Sequence, residues 1–388
     1  MQTKLEFIGG NTKNCLMAMA LPMIAAMFLN MMYNLVDSLW IGNLLGETAY
    51  AALTNSTPII LILTSVAMGA TNGISILLSQ AIGAKDKEKT ESLIAASLCA
   101  AVTFSLLVTV LLEVFLPEIL KALNTPAETY DMAYSYLSIF GFHGAAIATL
   151  LSQVICLLFM LIYLKKKELF TFKLSLFDKS AILPLVQKAV PSVIQQSIPA
   201  ISTTFLTALV STYSVTAIAA YGITGKLETI LFYPAMALNM VLTTIIGQCV
   251  GGRRYDRAKD YLKCALGCGC GLLVILSAFV VGFSKQLSGL FVKSDGVAAI
   301  VGTYFLIISI GYILNTVTNC CLGTLNGMGK PSKSMFLMIF YYIVVRMPLA
   351  YLLSHFGFGL NGIWAAVLVS HAAAAATGTM LIKSGEKI

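Results

Sequence analysis

Ser79-Gln80-Ala81-Ile82-Gly83, at the end of one long apolar run, comes back as Gly247-Gln248-Cys249-Val250-Gly251 at the end of another. The same offset of 168 carries Ala67-Met68 onto Ala235-Met236, Lys85 onto Arg253, Lys89 onto Arg257 and Tyr136 onto Tyr304. Further upstream, Pro22 pairs with Pro191, and from Ala67 to Phe140 the register does not slip. A chain that repeats over such a distance is built from two related halves, a common construction of membrane transporters.

The composition names the solvent. Of 388 residues, 58% are hydrophobic and 11% charged, and the mean hydropathy is +0.86, which excludes a soluble domain with a polar exterior. Apolar runs of about 20 residues, enough to cross a hydrocarbon core as helices, are expected near 15–41, 53–82, 92–115, 130–164, 186–214, 219–250, 261–282, 298–326, 334–356 and 360–383. Pro22, Pro58, Pro191, Pro199, Pro234 and Pro348 fall inside them, which membrane helices tolerate, and the alternation of outer-membrane strands is missing. The fold expected is therefore an all-α, polytopic membrane protein with about ten crossings. The first run carries Asn30, Asn34 and Asp37 and no small-residue cleavage site, so it reads as a permanent helix rather than a signal peptide.

Lys and Arg are retained on the cytoplasmic side. With the N-terminus inside, 20 of the 25 basic residues fall in cytoplasmic segments. Only Lys121, Lys285 and Lys293 lie outside, while Lys226 and Arg346 lie within helices. Both termini are then cytoplasmic in a multi-pass protein of the plasma membrane, a cell inner membrane. The net charge of +8 is a topology signal and does not point to nucleic acid. The nine cysteines sit in or beside apolar runs. Cys264, Cys268 and Cys270 have no matching His or acidic cluster, so neither a metal site nor a cofactor is expected.

The repeat has a hole. Gly144-Ala145-Ala146-Ile147-Ala148-Thr149-Leu150-Leu151-Ser152 matches Gly362-Ile363-Trp364-Ala365-Ala366-Val367-Leu368-Val369-Ser370 at an offset of 218 instead of 168. The first half thus lacks 50 residues that the second half keeps, roughly two crossings. Losing an even number leaves Lys165, Lys166 and Lys167 on the cytoplasmic side. The expected organisation is an N-terminal lobe of about four crossings over 1–164, a basic amphipathic linker over 165–187, and a C-terminal lobe of six crossings over 188–388. An intact ancestor would have twelve crossings in two pseudo-symmetric lobes.

Charges at bilayer depth cost at least about 2.5 kcal/mol each and ask for a reason. Asn30, Asn34 and Asp37 share one helical face. A carboxylate with amide neighbours in a poorly hydrated cavity can take up a proton or hold a small cation; the bland alternative is that Asp37 reaches water at its helix end. Lys226 and Glu228 are two apart, point to different faces, and must look to other helices for partners. Glu228 is a second candidate for ion coupling, with Lys226 as its tether or as a counter-charge for substrate, against the alternative that both line a wet crevice. Arg346, before Met347-Pro348, reads as a structural ion pair ahead of a substrate contact. Gln80 and Gln248 suggest a shared fold role, and His143, His355 and His371, near segment ends, are assigned none.

The pattern Leu21-Pro22, then Tyr33-Asn34-Leu35-Val36-Asp37-Ser38-Leu39-Trp40-Ile41-Gly42, the paired Gln-x-x-Gly ends and Leu322-Gly323-Thr324-Leu325-Asn326-Gly327-Met328-Gly329-Lys330-Pro331 together resemble the MATE family of extrusion antiporters over nearly the whole chain. The resemblance implies a two-lobed exporter of twelve helices that exchanges organic cations and amphiphilic drugs for protons or sodium ions by rocking between two access states. It implies a cation-coupling role for Asp37, assisted by Asn34. The sequence departs from the family pattern where the first half would carry its fourth and fifth helices. Expected partners are small-molecule drugs and the lipid bilayer, with the protein a monomer. The alternatives are a lipid-linked oligosaccharide flippase of the same superfamily, for which only Lys226 and Arg346 offer charge to a pyrophosphate, and a non-transporting deletion derivative. No nucleophile and base pair, phosphate loop or metal spacing suggests an enzyme.

Overall fold

The computed structural model describes residues 6–40, 46–122, 179–291 and 294–384; over 34–40 and 46–60, and at a few further positions, it describes the backbone alone. The described chain is helical, with no strand among the described residues. The helices are α1 (Thr12–Trp40), α2 (Gly46–Gly83), α3 (Lys87–Ala122), α4 (Ile182–Ser211), α5 (Val215–Gly251), α6 (Tyr255–Gly289), α7 (Asp295–Gly327), α8 (Pro331–Met338), α9 (Met347–Leu353) and α10 (Gly359–Ser384). Between α8 and α9 the rod continues as a π-helix, Ile339–Arg346. Nine of the ten expected crossings fall on these helices; the tenth, 130–164, lies outside the described residues, as do linker residues 165–178. A 3₁₀ turn, Lys179–Ala181, leads into α4, which starts at Ile182, inside the stretch expected to be linker.

Local chemistry explains the ends. Ser214 Oγ accepts from Ala217 N at 3.0 Å and caps α5, and Ser294 does the same for α7 through Val297 N at 3.5 Å. Pro331 stands in the first turn of α8, where its missing N–H costs nothing. Gly357 and Gly359, with φ of 89° and 54°, break the rod before α10.

The repeat is visible in the backbone. Lys85 and Arg253 are the two non-glycine residues with positive φ among the described residues, at 59° and 57°, and they are the same repeat position. Each belongs to the same hydrogen-bonded stop: Ala84 N to Gln80 O, Lys85 N to Ile82 O and Asp86 N to Ala81 O in one half, and Gly252 N to Gln248 O, Arg253 N to Val250 O and Arg254 N to Cys249 O in the other. Both are Schellman motifs.

The chain forms two compact units. One contains Met1–Phe28, Ser65–Asp86 and Val186–Ile388, the other Leu29–Thr64 and Lys87–Leu185. In the first, a core of Leu227, Leu231, Leu273, Val301, Phe305, Ile308, Tyr312 and Trp364 joins α5, α6, α7 and α10. A second core joins the base of α1, through Cys15, Leu16 and Ala20, to α5 and α6. The segment before α1 is tied to α6: Arg257 donates to Thr12 Oγ1 at 3.0 Å and to the Gly10 carbonyl, and Tyr261 donates to the Phe7 carbonyl at 3.0 Å. The outer faces are apolar as well. Val274, Ile275, Phe279 and Phe283 on α6 are all at least half exposed, the arrangement expected where lipid is the solvent.

Within the first unit α2 and α5 cross at the repeated motif. A Cβ on Gly83 would fall on the Gln248 carbonyl, and one on Gly251 would fall on the Gln80 carbonyl. The Gln80 side chain donates to the Gly327 carbonyl at 3.0 Å, and Lys188 Nζ to the Gly329 carbonyl at 2.6 Å. The Gln-x-x-Gly ends therefore pack backbone on backbone.

Candidate functional site

On α5 the buried positions Ala217, Ala220, Ile223, Thr224, Leu227, Leu231 and Ala235 recur every three or four residues and mark the inner stripe. Glu228 sits at its edge, partly buried, whereas Lys226 is exposed. The sequence spacing of two separates them as expected. Glu228 Oε1 accepts from Tyr304 Oη at 2.7 Å and from Tyr312 Oη at 2.9 Å. The two tyrosines are two turns apart on α7, both buried, and reach the same oxygen from either side. No hydrogen bond to Oε2 is seen among the described residues, and no salt bridge holds this carboxylate, the pairs found there being Lys87–Glu91 and Arg254–Asp256. Lys226 Nζ instead lies 5.8 Å from the Phe291 ring centroid.

An aromatic wall holds the tyrosines in place. Trp364 of α10 stacks on Tyr221 at 5.6 Å and meets Tyr304 edge-on at 4.7 Å. Phe232, one α5 turn beyond Glu228, lies 5.8 Å from Tyr312 and 6.4 Å from His371. It links the carboxylate cage to a cationic one.

Arg346 is 7% exposed. Nε donates to Ser370 Oγ at 2.9 Å, Nη2 donates to Tyr341 Oη at 2.7 Å, and His371 Nε2 lies 3.5 Å from Nη2. Tyr341 Oη is also 2.6 Å from His371 Nδ1. The guanidinium carbon lies 4.7 and 4.5 Å from the Tyr341 and Tyr342 ring centroids. The expected ion pair is not found among the described residues: hydroxyls, an imidazole and two ring faces take the place of a carboxylate. The π-helical register explains the geometry. Tyr341 and Arg346 are five apart, a spacing that splays side chains on an α-helix and aligns them where the turn closes i→i+5.

Among the candidates read from sequence, the structure brings Glu228 and Arg346 into one unit of linked aromatic cages. Asn30 is exposed on α1 and belongs to the other unit. The side chains of Asn34 and Asp37 lie outside the described residues. Sequence reasoning missed Tyr304, Tyr312, Tyr341, Trp364 and His371, the last in mid-helix on α10 rather than near an end. One signal was available: Tyr304 is the repeat partner of Tyr136.

A family model described as MatE matches twice, over residues 22–163 and 191–352, once in each half of the repeat. The probable multidrug resistance protein YoeA of Bacillus subtilis (strain 168) is 23% identical over 422 aligned residues, covering 93% of this chain and 90% of its own. The aligned length exceeds the 388 residues here, so the relative carries sequence that this chain lacks. The probable multidrug resistance protein NorM of Pasteurella multocida (strain Pm70) is 31% identical over 148 residues, 37% of this chain and 32% of its own. In fold, a solved outward-facing conformation of a multidrug resistance MATE family transporter of the MOP superfamily matches with a TM-score of 0.92 at 21% identity, covering 99% of both chains. Two family matches in tandem, a helical membrane bundle and that shared architecture make this chain a member of the MatE family, a polytopic membrane transporter and not an enzyme.

Proposed function

We propose that this protein is a secondary active efflux antiporter that exports organic cations or amphiphilic drugs in exchange for protons or sodium ions, with Glu228 as a coupling site. The observation that carries this reading is a partly buried carboxylate fixed by two tyrosine hydroxyls on one oxygen, with the other oxygen not engaged among the described residues. Such a group can take a proton or a small cation at Oε2 without rearranging its cage. Coupling requires the ion to bind the two access states with different affinity, and a site at the edge of a helix stripe changes its hydration when that helix moves. Opening at the α2–α5 crossing would part the Gly83–Gln248 and Gly251–Gln80 backbones and move α5, the helix that carries Glu228.

Asp37 and Asn34 enter as a second coupling site through the family resemblance, and Asn30, Lys226 and Arg346 as residues of the substrate path. The positive-inside count supports cytoplasmic termini, the lobe boundaries at 164 and 188 follow the repeat, and the functional unit is a monomer. The test is ethidium efflux from proteoliposomes under imposed proton or sodium gradients. Wild type should respond to one of them, and Glu228→Gln should reduce that response at least tenfold; gradient responses equal to wild type would remove Glu228 from coupling. The 50 residues missing from the first half favour a second reading, a folded derivative that no longer transports. Monodisperse protein with no efflux under either gradient would select it.

A further inference from the structure

We propose that Arg346 is an anion-recognition site, and that the protein takes substrates bearing a carboxylate, acidic or zwitterionic amphiphiles, through a charge-assisted contact with its guanidinium. The inference rests on the transport reading and adds a substrate class to it. Arg346 is more than nine-tenths buried yet has no carboxylate within salt-bridge distance among the described residues. Its own partners are neutral oxygens and an imidazole. A buried cation without a counter-ion is costly, and rings and hydroxyls offset only part of that cost.

The donor inventory shows where an anion would go. A guanidinium has five N–H groups in a planar fork. Nε is used by Ser370, and Nη2 by Tyr341 beside His371. No hydrogen bond from Nη1 is seen among the described residues, and Nη1 is not fully buried. It is the prong that remains open. The other prongs fix the plane: Tyr341 and Tyr342 cover the guanidinium with their rings, Ser370 anchors the inner edge, and the π-helical turn sets the Tyr341–Arg346 register. The exposed flank of this segment, Ile343 and Val344, faces away, while Tyr341, Arg346 and Ala350 face the helices of their own unit. An open, planar, pre-oriented fork with no ion-pair partner among the described residues is the arrangement that recognises a carboxylate. Phe232 touches both cages, lying 5.8 Å from Tyr312 and 6.4 Å from His371. A zwitterion could then lay its carboxylate on Arg346 and its ammonium toward the Glu228 cage.

The test uses purified full-length protein in lipid nanodiscs and equilibrium binding of three probes: norfloxacin, which has a carboxylate and a basic amine; its methyl ester, which keeps the amine only; and ethidium, a permanent cation. Wild type should bind norfloxacin at least tenfold more tightly than the ester. R346Q should lower norfloxacin affinity at least tenfold, to the ester's level, while ester and ethidium stay within twofold. R346K keeps the charge but not the fork and should shrink the acid-to-ester ratio at least threefold. The proposal fails if acid and ester bind wild type equally, if no probe binds, if R346Q weakens all three alike as a packing role would, or if it leaves norfloxacin unchanged. Should R346Q not fold, the wild-type ratio and its change in R346K decide the matter. Ethidium carries no carboxylate, so its gradient-driven efflux judges the Glu228 coupling role separately.

Discussion

At bilayer depth a carboxylate costs at least about 2.5 kcal/mol, and two hydrogen bonds to a charged group contribute about 1.5–3 kcal/mol each, so the Tyr304 and Tyr312 hydroxyls are sufficient to hold Glu228 in place. Removing one leaves the other to carry a site balanced near zero. Tyr304→Phe should therefore keep the ring packing against Trp364, lower stability by about 1–2 kcal/mol in a detergent melting assay, and weaken gradient-driven efflux. Unchanged melting and unchanged efflux together would show that the hydroxyl contributes nothing. How far these residues were legible differs by type. A spacing of two settled that Lys226 and Glu228 part company, because helix geometry is local. The tyrosines were not legible, since a tyrosine in an apolar run reads as core until a carboxylate on another helix is seen to meet it. For Arg346 sequence logic asks for a carboxylate, and among the described residues the fold supplies ring faces, hydroxyls and His371 from α10.

At the scale of elements, the crossing of α2 and α5 turns on having no side chain at Gly83 and Gly251. Gly251→Ala forces a methyl group into the Gln80 carbonyl of a neighbouring helix, and overpacking of this kind costs about 1–3 kcal/mol or more. Gly267→Ala, on α6, places its methyl where nothing lies within 4 Å and should stabilise by up to about 1 kcal/mol through helix propensity alone. Thermal unfolding of both variants should therefore shift in opposite directions; a Gly251→Ala protein as stable as wild type would deny the close approach. Most helix positions were readable from hydropathy, because lipid demands long apolar rods. The early start of α4 was not, because Lys179 and Lys188, on either side of residues 182–187, read as a cytoplasmic connection. The π-helical register of Ile339–Arg346 has no period in the sequence that announces it.

For the molecule as a whole, duplication was the most legible property: residues 168 apart gave the repeat, and the paired positive-φ residues Lys85 and Arg253 repeat it in the backbone. The shortened first half was read from a change of offset, 218 in place of 168. What a linear text could not supply is the joining of distant segments, such as the base of α1 with α5 and α6. The excess of basic residues on one side predicts cytoplasmic termini, so a fluorescent protein fused after Ile388 should fold and fluoresce in the cytoplasm, while alkaline phosphatase at the same point should stay inactive; the reverse result would invert the topology.

The wide turn before α9 has a consequence for how that rod is dressed. One surplus residue in a turn resets the phase of every side chain beyond it, so the stretch above Met338 and the stretch below Met347 can present their apolar flanks in different directions. Arg346 stands at that seam, which lets a single continuous rod greet lipid on one bearing and its sister helices on another.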